Sequence, residues 1–185
     1  MDITKPSKGQ VAFILLASRI GRRFMYRKFV EEIGLEGGED VLDFGAGWGD
    51  NTFYIARKLF KGGRVTALDV SEQWQKVARR RLKGFKNVDF VRSDVRSSPL
   101  KDGSFDVIVV SYVLHDIPVK ERKGILDDLV RKLKPDGFIQ LREPTRKQHG
   151  MPINEIRNLM NQAGMMESSS TVGRNQFKAR YSRGK

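Results

Sequence analysis

Residues 41–49 run Val-Leu-Asp-Phe-Gly-Ala-Gly-Trp-Gly, an apolar stretch closing on an acid and then three glycines on alternate positions. Twenty residues past the last glycine, a second apolar run, Val65-Thr66-Ala67-Leu68, ends in Asp69. A strand, a glycine turn, a helix and a second strand closing on an acid is the layout of a nucleoside-binding crevice. Glycine lets main chain come close to a ligand where a side chain would collide. The Asp69 carboxylate can accept hydrogen bonds from two ribose hydroxyls, at roughly 1.5–3 kcal/mol for each bond to a charged group.

The spacing narrows the ligand. Dinucleotide sites read G-x-G-x-x-G, with the diphosphate at the start of the following helix. Here the pattern is Gly45-x-Gly47-x-Gly49, and Asp50 stands where the third dinucleotide glycine belongs. A negative charge there should repel a diphosphate in the place where a helix dipole attracts one. It would not disturb a nucleoside without phosphate, such as S-adenosylmethionine (SAM).

The 185 residues suit a single domain with a real core, 39% being hydrophobic and 31% charged. No apolar run approaches the roughly 20 residues that span a bilayer. Cysteine is absent and the two histidines, His115 and His149, lie far apart, which argues against disulfides, a cysteine nucleophile or a histidine-rich metal site. A cytoplasmic setting is compatible with that usage. The segment 11–17 faintly imitates a signal peptide, but Arg19, Arg22 and Arg23 follow at once, and it reads as a first helix. The net charge of +13 sits in the flanks: residues 1–30 carry seven Lys/Arg against Asp2, and residues 146–185 carry eight against Glu155 and Glu167. Such flanks are either solvated surface or a means of attracting something anionic.

Helices are expected over 10–18 and 22–33, with breaks at Gly34 and Gly37-Gly38. Strands and helices then alternate: strand 40–44, helix 51–60, strand 64–69, helix 72–83 capped by Ser71, and strand 88–92. The apolar run from Phe105 to Val110 is a central parallel strand buried on both faces. Pro118 opens a helix with Leu126, Leu129, Val130 and Leu133 on its buried stripe, and Lys134-Pro135-Asp136-Gly137 turns into strand 138–142. A basic loop, a helix over 152–163 stopped by Gly164, and two antiparallel strands over 165–172 and 176–181 complete the order.

These stations, VLDFGAGWGD, ALDVSEQW, FVRSDV, FDVIVVSYVLHDIP and LKPDGFI, resemble those of class I SAM-dependent methyltransferases over residues 35–181. The loop style is most similar to small-molecule enzymes of quinone biosynthesis and related C- and O-methyltransferases. The resemblance implies an α/β, Rossmann-like, seven-stranded and mostly parallel sheet with an antiparallel C-terminal strand and helices on both faces. It implies one domain, with residues 1–34 as an N-terminal helical cap on a SAM-binding core of residues 35–185. It places Asp43, Gly45, Gly47 and Gly49 around the methionine part of the cofactor, Asp69 on the ribose and Val70 against the adenine. Asp94 would accept from the adenine amino group and Val95 would offer its N–H; Ser111 and Tyr112 would face the sulfonium. Asp94 capping a turn, Tyr112 serving as wall and Trp74 belonging to the core remain open readings.

Methyl transfer needs alignment and exclusion of water, and a base only when the acceptor arrives protonated. His115, four residues past Ser111, is the candidate catalytic base; the alternative is that it bonds the backbone or Asp116 and holds its loop. The expected acceptor is a small molecule, anionic or lipophilic. Nucleic acid is disfavoured, because aromatics do not interleave with a basic stripe. The mixed apolar and basic segment 13–29 suits a peripheral membrane contact or a lid over the site. Competing readings are an RNA or protein methyltransferase, a non-catalytic SAM-binding module and a nicotinamide oxidoreductase.

Overall fold

The computed structural model describes residues 21–146 and 148–184. The expected helix over 10–18, the signal-like segment and most of the basic N-terminal flank lie outside the described residues. In chain order the elements are α1 (Gly21–Ile33), β1 (Asp40–Phe44), α2 (Asp50–Lys58), β2 (Arg64–Leu68), α3 (Glu72–Arg81) and β3 (Val88–Val91). There follow β4 (Phe105–Ser111), α4 (Val119–Lys132), β5 (Leu133–Pro144), α5 (Ile153–Gln162), β6 (Met165–Val172) and β7 (Gln176–Arg183). The strands form one seven-stranded sheet in the order β3-β2-β1-β4-β5-β7-β6. Pairings from β3 through β5 are parallel, and β7 runs antiparallel to both its neighbours.

The apolar strands are hydrophobic throughout because both faces of the sheet are covered. Along β4 the side chains alternate, Val107 and Val109 joining one core and Ile108 and Val110 the other. The first core takes Phe29, Val30 and Ile33 from α1 and Ile55 and Leu59 from α2 and its end; the second takes Leu126 and Leu129 from α4 and Ile156 and Met160 from α5. Phe29, Val30 and Ile33 are each 1% exposed, so α1 is part of the packed body. Ser71 caps α3 by accepting from the Trp74 amide, and Gly164 ends α5 with φ of 75°.

Two local expectations need correction. Pro118 and Pro152 stand one residue before their helices as extended N-caps, where the missing N–H costs nothing. Lys134–Gly137 is no free turn: β5 begins at Leu133, and the pairing steps from Phe105↔Leu133 to Val107↔Phe138. The extra residues bulge out of a continuous strand pair. Gly137 is required there, since a Cβ would lie 2.8 Å from the Asp106 carbonyl oxygen.

Candidate active site

Strand order reverses between β1 and β4, so their carboxyl ends splay apart and open a crevice. A cavity of about 1150 Å³ occupies it, lined among others by Gly45, Gly47, Asp69, Asp94, Ser111 and His115. The three glycines of the turn all have positive φ but do different work. A Cβ on Gly45 would lie 2.4 Å from Val113 Cγ2, and one on Gly49 would lie 2.9 Å from Leu82 Cδ1. Those two glycines let neighbouring segments pack. Gly47 alone of the three is open, its nearest neighbour 4.0 Å from such a Cβ, and like Gly45 it lines the cavity.

Asp69, one residue past β2, grips this turn: its carboxylate accepts from the Gly47 and Ser71 amides, each at 2.8 Å. A carboxylate offers about four acceptor positions, so two remain for a ligand. Burial pushes Asp69 above the usual carboxylate range, and the two amides pull it back. Asp43, on β1 behind the turn, is 1% exposed. Its Oδ2 accepts from Thr52 Oγ1 at 2.6 Å, while Oδ1 is buried without a partner. Burial raises the Asp43 pKa to about 7, the bonds from Thr52 opposing and the Asp69 charge adding to it. A second orphaned acceptor, Asn51 Oδ1, belongs to a cavity-lining residue, whereas Asp43 itself lies outside the lining.

Asp50 is not the bare charge that the sequence suggests. Arg81 Nη2 pairs with it at 2.7 Å, and Trp48 Nε1 donates to its other oxygen. The physical objection to a diphosphate therefore moves from Asp50 to its neighbours: buried carboxyl and amide oxygens without donors welcome a cation, not a phosphate.

Beyond Asp69, Val70 is 52% exposed within the cavity lining, an apolar surface left without cover. Trp74 is buried and packs on Trp48 with ring centroids 5.1 Å apart; both line the cavity. Asp94 caps a 3-10 turn by accepting from the Arg96 amide and also binds the Arg96 guanidinium at 2.6 Å. Arg96 thus holds the Asp94 carboxyl below its usual range. Val95 opens that turn, so its amide belongs to the class with no intrahelical acceptor.

At the opposite end, Ser111 Oγ accepts from Arg142 Nε at 3.1 Å and Nη2 at 2.9 Å. Tyr112 sits at φ 59°, the left-handed region that non-glycine residues avoid, and its hydroxyl donates to Gln176 Oε1 at 2.8 Å. Arg142 is fully buried, its guanidinium 4.2–4.7 Å from the ring centres of Phe29, Tyr112 and Tyr26. This arginine fastens α1 to the ends of β4 and β5.

His115 lies in a short 3-10 turn after β4 and lines the cavity. Its Nδ1 is 2.7 Å from Oε2 of Glu143, a fully buried residue near the end of β5. Burial lowers the His115 pKa, but the Glu143 bond and charge, with Asp116, outweigh it and leave a net rise. Arg142 and Glu143 escaped the sequence reading. Their signal is a charged pair inside a strand flanked by Leu141 and destined for burial. Among the described residues, no group of three or more His, Asp or Glu could hold a metal ion, and no helix is long and apolar enough to cross a membrane.

The strand order and the crevice define an open α/β protein with a nucleoside-type site at the switch point of its sheet. A family profile described as a methyltransferase domain matches residues 41–137, and the chain belongs to that family. It is 42% identical over 106 residues to a demethylmenaquinone methyltransferase of Clavibacter sepedonicus, covering 57% of this chain and 41% of that protein. It is 32% identical over 129 residues to a ubiquinone/menaquinone biosynthesis C-methyltransferase of Shewanella pealeana, covering 68% and 51%. The chain thus spans about half the length of these relatives. A SAM-dependent methyltransferase from Aquifex aeolicus superposes with a TM-score of 0.73 at 26% identity, over 84% of this chain and 88% of that one. The N1-methyltransferase of Burkholderia thailandensis crystallised with 1,6-didemethyltoxoflavin and S-adenosylhomocysteine shares the fold, with a TM-score of 0.71 at 19% identity over 100% and 94%.

Proposed function

We propose that this chain is a SAM-dependent methyltransferase acting on a small, lipophilic acceptor. The observation that carries the reading is the open Gly47 turn in the crevice, gripped by an Asp69 carboxylate that keeps acceptor positions free for ribose hydroxyls. The family and the quinone-methylating relatives support the same conclusion. When bound, SAM supplies a methyl carbon already activated by a positive sulfur. The protein's part is to hold and align, which can contribute roughly 7–11 kcal/mol.

In this reading Gly45 and Gly47 border the amino-acid tail, Asp43 and Gly49 hold their turn from outside the cavity, and Asp69 takes the ribose hydroxyls on its two remaining acceptor positions. Val70 covers the adenine, Asp94 and the Val95 amide read its edge, and Ser111 and Tyr112 border the sulfonium. His115 is the catalytic residue at the acceptor end. Apolar cavity walls from Met25, Ile117, Ile125 and Pro144 suit a lipophilic acceptor, and Arg146 and Arg174 at the same cavity suit one with an anionic end. The described part of the 1–34 segment, α1, serves as a cap, since Met25 and Tyr26 reach the cavity; a cytoplasmic setting fits the cysteine-free chain.

Calorimetry tests the donor: micromolar or tighter binding of SAM and no binding of NADH is expected, and the reverse overturns the reading. The pH dependence is specific. A carboxyl titrating at about 7 is neutral below that value, and the attraction that Asp43 exerts on a cation from behind the turn then lapses. SAM affinity should therefore fall toward tenfold per pH unit as pH drops below about 7, and Asp43→Asn should flatten the profile. Met25→Ala, which opens the cavity wall while sparing the buried Phe29, Val30 and Ile33 of α1, should cut turnover while the core stays folded. Unchanged turnover would dismiss the cap.

A further inference from the structure

The large hydrophobic side chains left exposed are not scattered. Among the described residues they are Phe24, Phe60, Val70, Val119, Met166 and Val172, each at least 52% exposed. Four of these six stand at the crevice. Val70 lines it, while Phe24, Val119 and Val172 adjoin the lining residues Met25, Pro118 and Gly173. Separate elements bring them together. α1 starts at the strand ends, where Met25 meets Arg142 and Tyr112, and α4 descends from the end of β4. β6 runs parallel to β5, with β7 between them, and finishes at the same end of the sheet. Phe60 and Met166 lie at the opposite end, after α2 and at the start of β6.

Single apolar residues on a surface need no explanation, but a ring of them around a cavity does. Cations share that ring. Arg146 and Arg174 line the cavity, Lys120 follows Val119, and Lys28 lies one helical turn from Phe24. None of these four is in an ion pair among the described residues. The acids of the rim are largely paired already: Arg81 holds Asp50, and Arg96 holds both Asp94 and Glu121. Asp69 grips its two amides, and Asp116 lies beside His115. Apolar side chains and unpaired cations on one face match an anionic phospholipid surface, whose interface takes the first and whose phosphates take the second.

We propose that the crevice end of the sheet is a docking face for an anionic lipid bilayer, with Phe24, Val119 and Val172 entering the interface and Lys120, Arg146 and Arg174 meeting lipid phosphates. The contact is reversible, since a few isolated side chains bury far less apolar surface than a spanning helix. Docked in this way, the crevice opens onto the lipid. A lipophilic acceptor then passes from the bilayer to the donor without crossing water, and this consequence alone rests on the methyl-transfer reading above. A nucleic acid would meet the cations but has no use for exposed valines, because bases are held by aromatic stacking. The rival attachment point is Phe60 at the far end, with Lys61 Nζ 5.7 Å from its ring centre.

The chain contains no cysteine, so single cysteines carrying an environment-sensitive nitrobenzoxadiazole label report contact position by position. The full chain is sedimented with vesicles of phosphatidylcholine, alone or with phosphatidylglycerol added. Binding to the anionic vesicles only is expected, with a blue shift of the label at Val119→Cys and Val172→Cys and none at Phe60→Cys. The double variant Val119→Asp/Val172→Asp should lower vesicle affinity by about tenfold or more, with SAM affinity and melting unchanged. Aspartate in the first turn of α4 suits the helix dipole, so the fold tolerates it. Lys120→Glu should lower vesicle affinity by about tenfold. No vesicle binding, a label shift at position 60 instead, or binding that the double variant leaves unchanged overturns the face. Full competition by glycerol phosphate, the mark of a small-anion pocket, overturns it too, as does retention of single-stranded RNA by a protein that ignores vesicles. A protein that binds vesicles but not SAM removes the methyl-transfer reading and leaves the face, and one that binds SAM but not vesicles does the reverse.

Discussion

Asp69→Ala is expected to weaken SAM binding by about 100-fold or more, roughly 3 kcal/mol, from two sources that add. The ribose loses its two acceptors, and the glycine turn loses the carboxylate that ties the Gly47 and Ser71 amides together. Asp69→Asn separates the two. Its amide oxygen still accepts from one backbone N–H, so the turn is half held, while one hydroxyl loses its partner; an intermediate loss near tenfold should result. Calorimetry reads the affinity and thermal melting reads the turn. An Asp69→Ala protein that binds SAM within threefold of the wild type would dismiss the ribose role.

The second large effect divides the glycines. Gly45→Ala forces a Cβ to within 2.4 Å of Val113 Cγ2 at φ 67°, and Val113 is β-branched with little room to turn. Overpacking and left-handed strain together should cost about 3 kcal/mol. For a domain of this size that lowers Tm by roughly 6–12 °C. Gly47→Ala meets no neighbour closer than 4.0 Å, so it carries only the strain of its φ of 54°, about 1–2 kcal/mol. Its methyl group, however, projects where the ligand's tail belongs, so SAM affinity should drop well over tenfold with little change in melting. If the two variants exchange these behaviours, the division is wrong.

The helices and strands were legible because both faces of the sheet are covered: Phe105 to Val110 had to be continuously apolar, and Ser71 and Gly164 carry local end signals that no tertiary contact overrides. The places of Gly47 and Asp69 at the crevice were legible through spacing, since a strand–turn–helix puts its ends there whatever surrounds it, while Asp43 lies outside the lining. The rest depends on distant chain. Asp50 reads as a repelling charge until Arg81, on α3, is seen to pair with it. Arg142 gains meaning only when Tyr26 and Phe29 of α1 enclose it, and Glu143 only when the loop after β4 folds onto it. Lys134–Gly137 has turn chemistry, but pairing with β4 absorbs it into a strand.

β7 follows β6 during synthesis yet lies between β6 and β5. A nascent chain that has emerged only through β6 can assemble β1 to β5 and the nucleoside half of the crevice, but β6 has no strand to join. The first residue of β7, Gln176, is the one that receives the Tyr112 hydroxyl. The wall that Gly173 to Gln176 give the cavity is therefore the last to be set, waiting for the antiparallel strand to slot home.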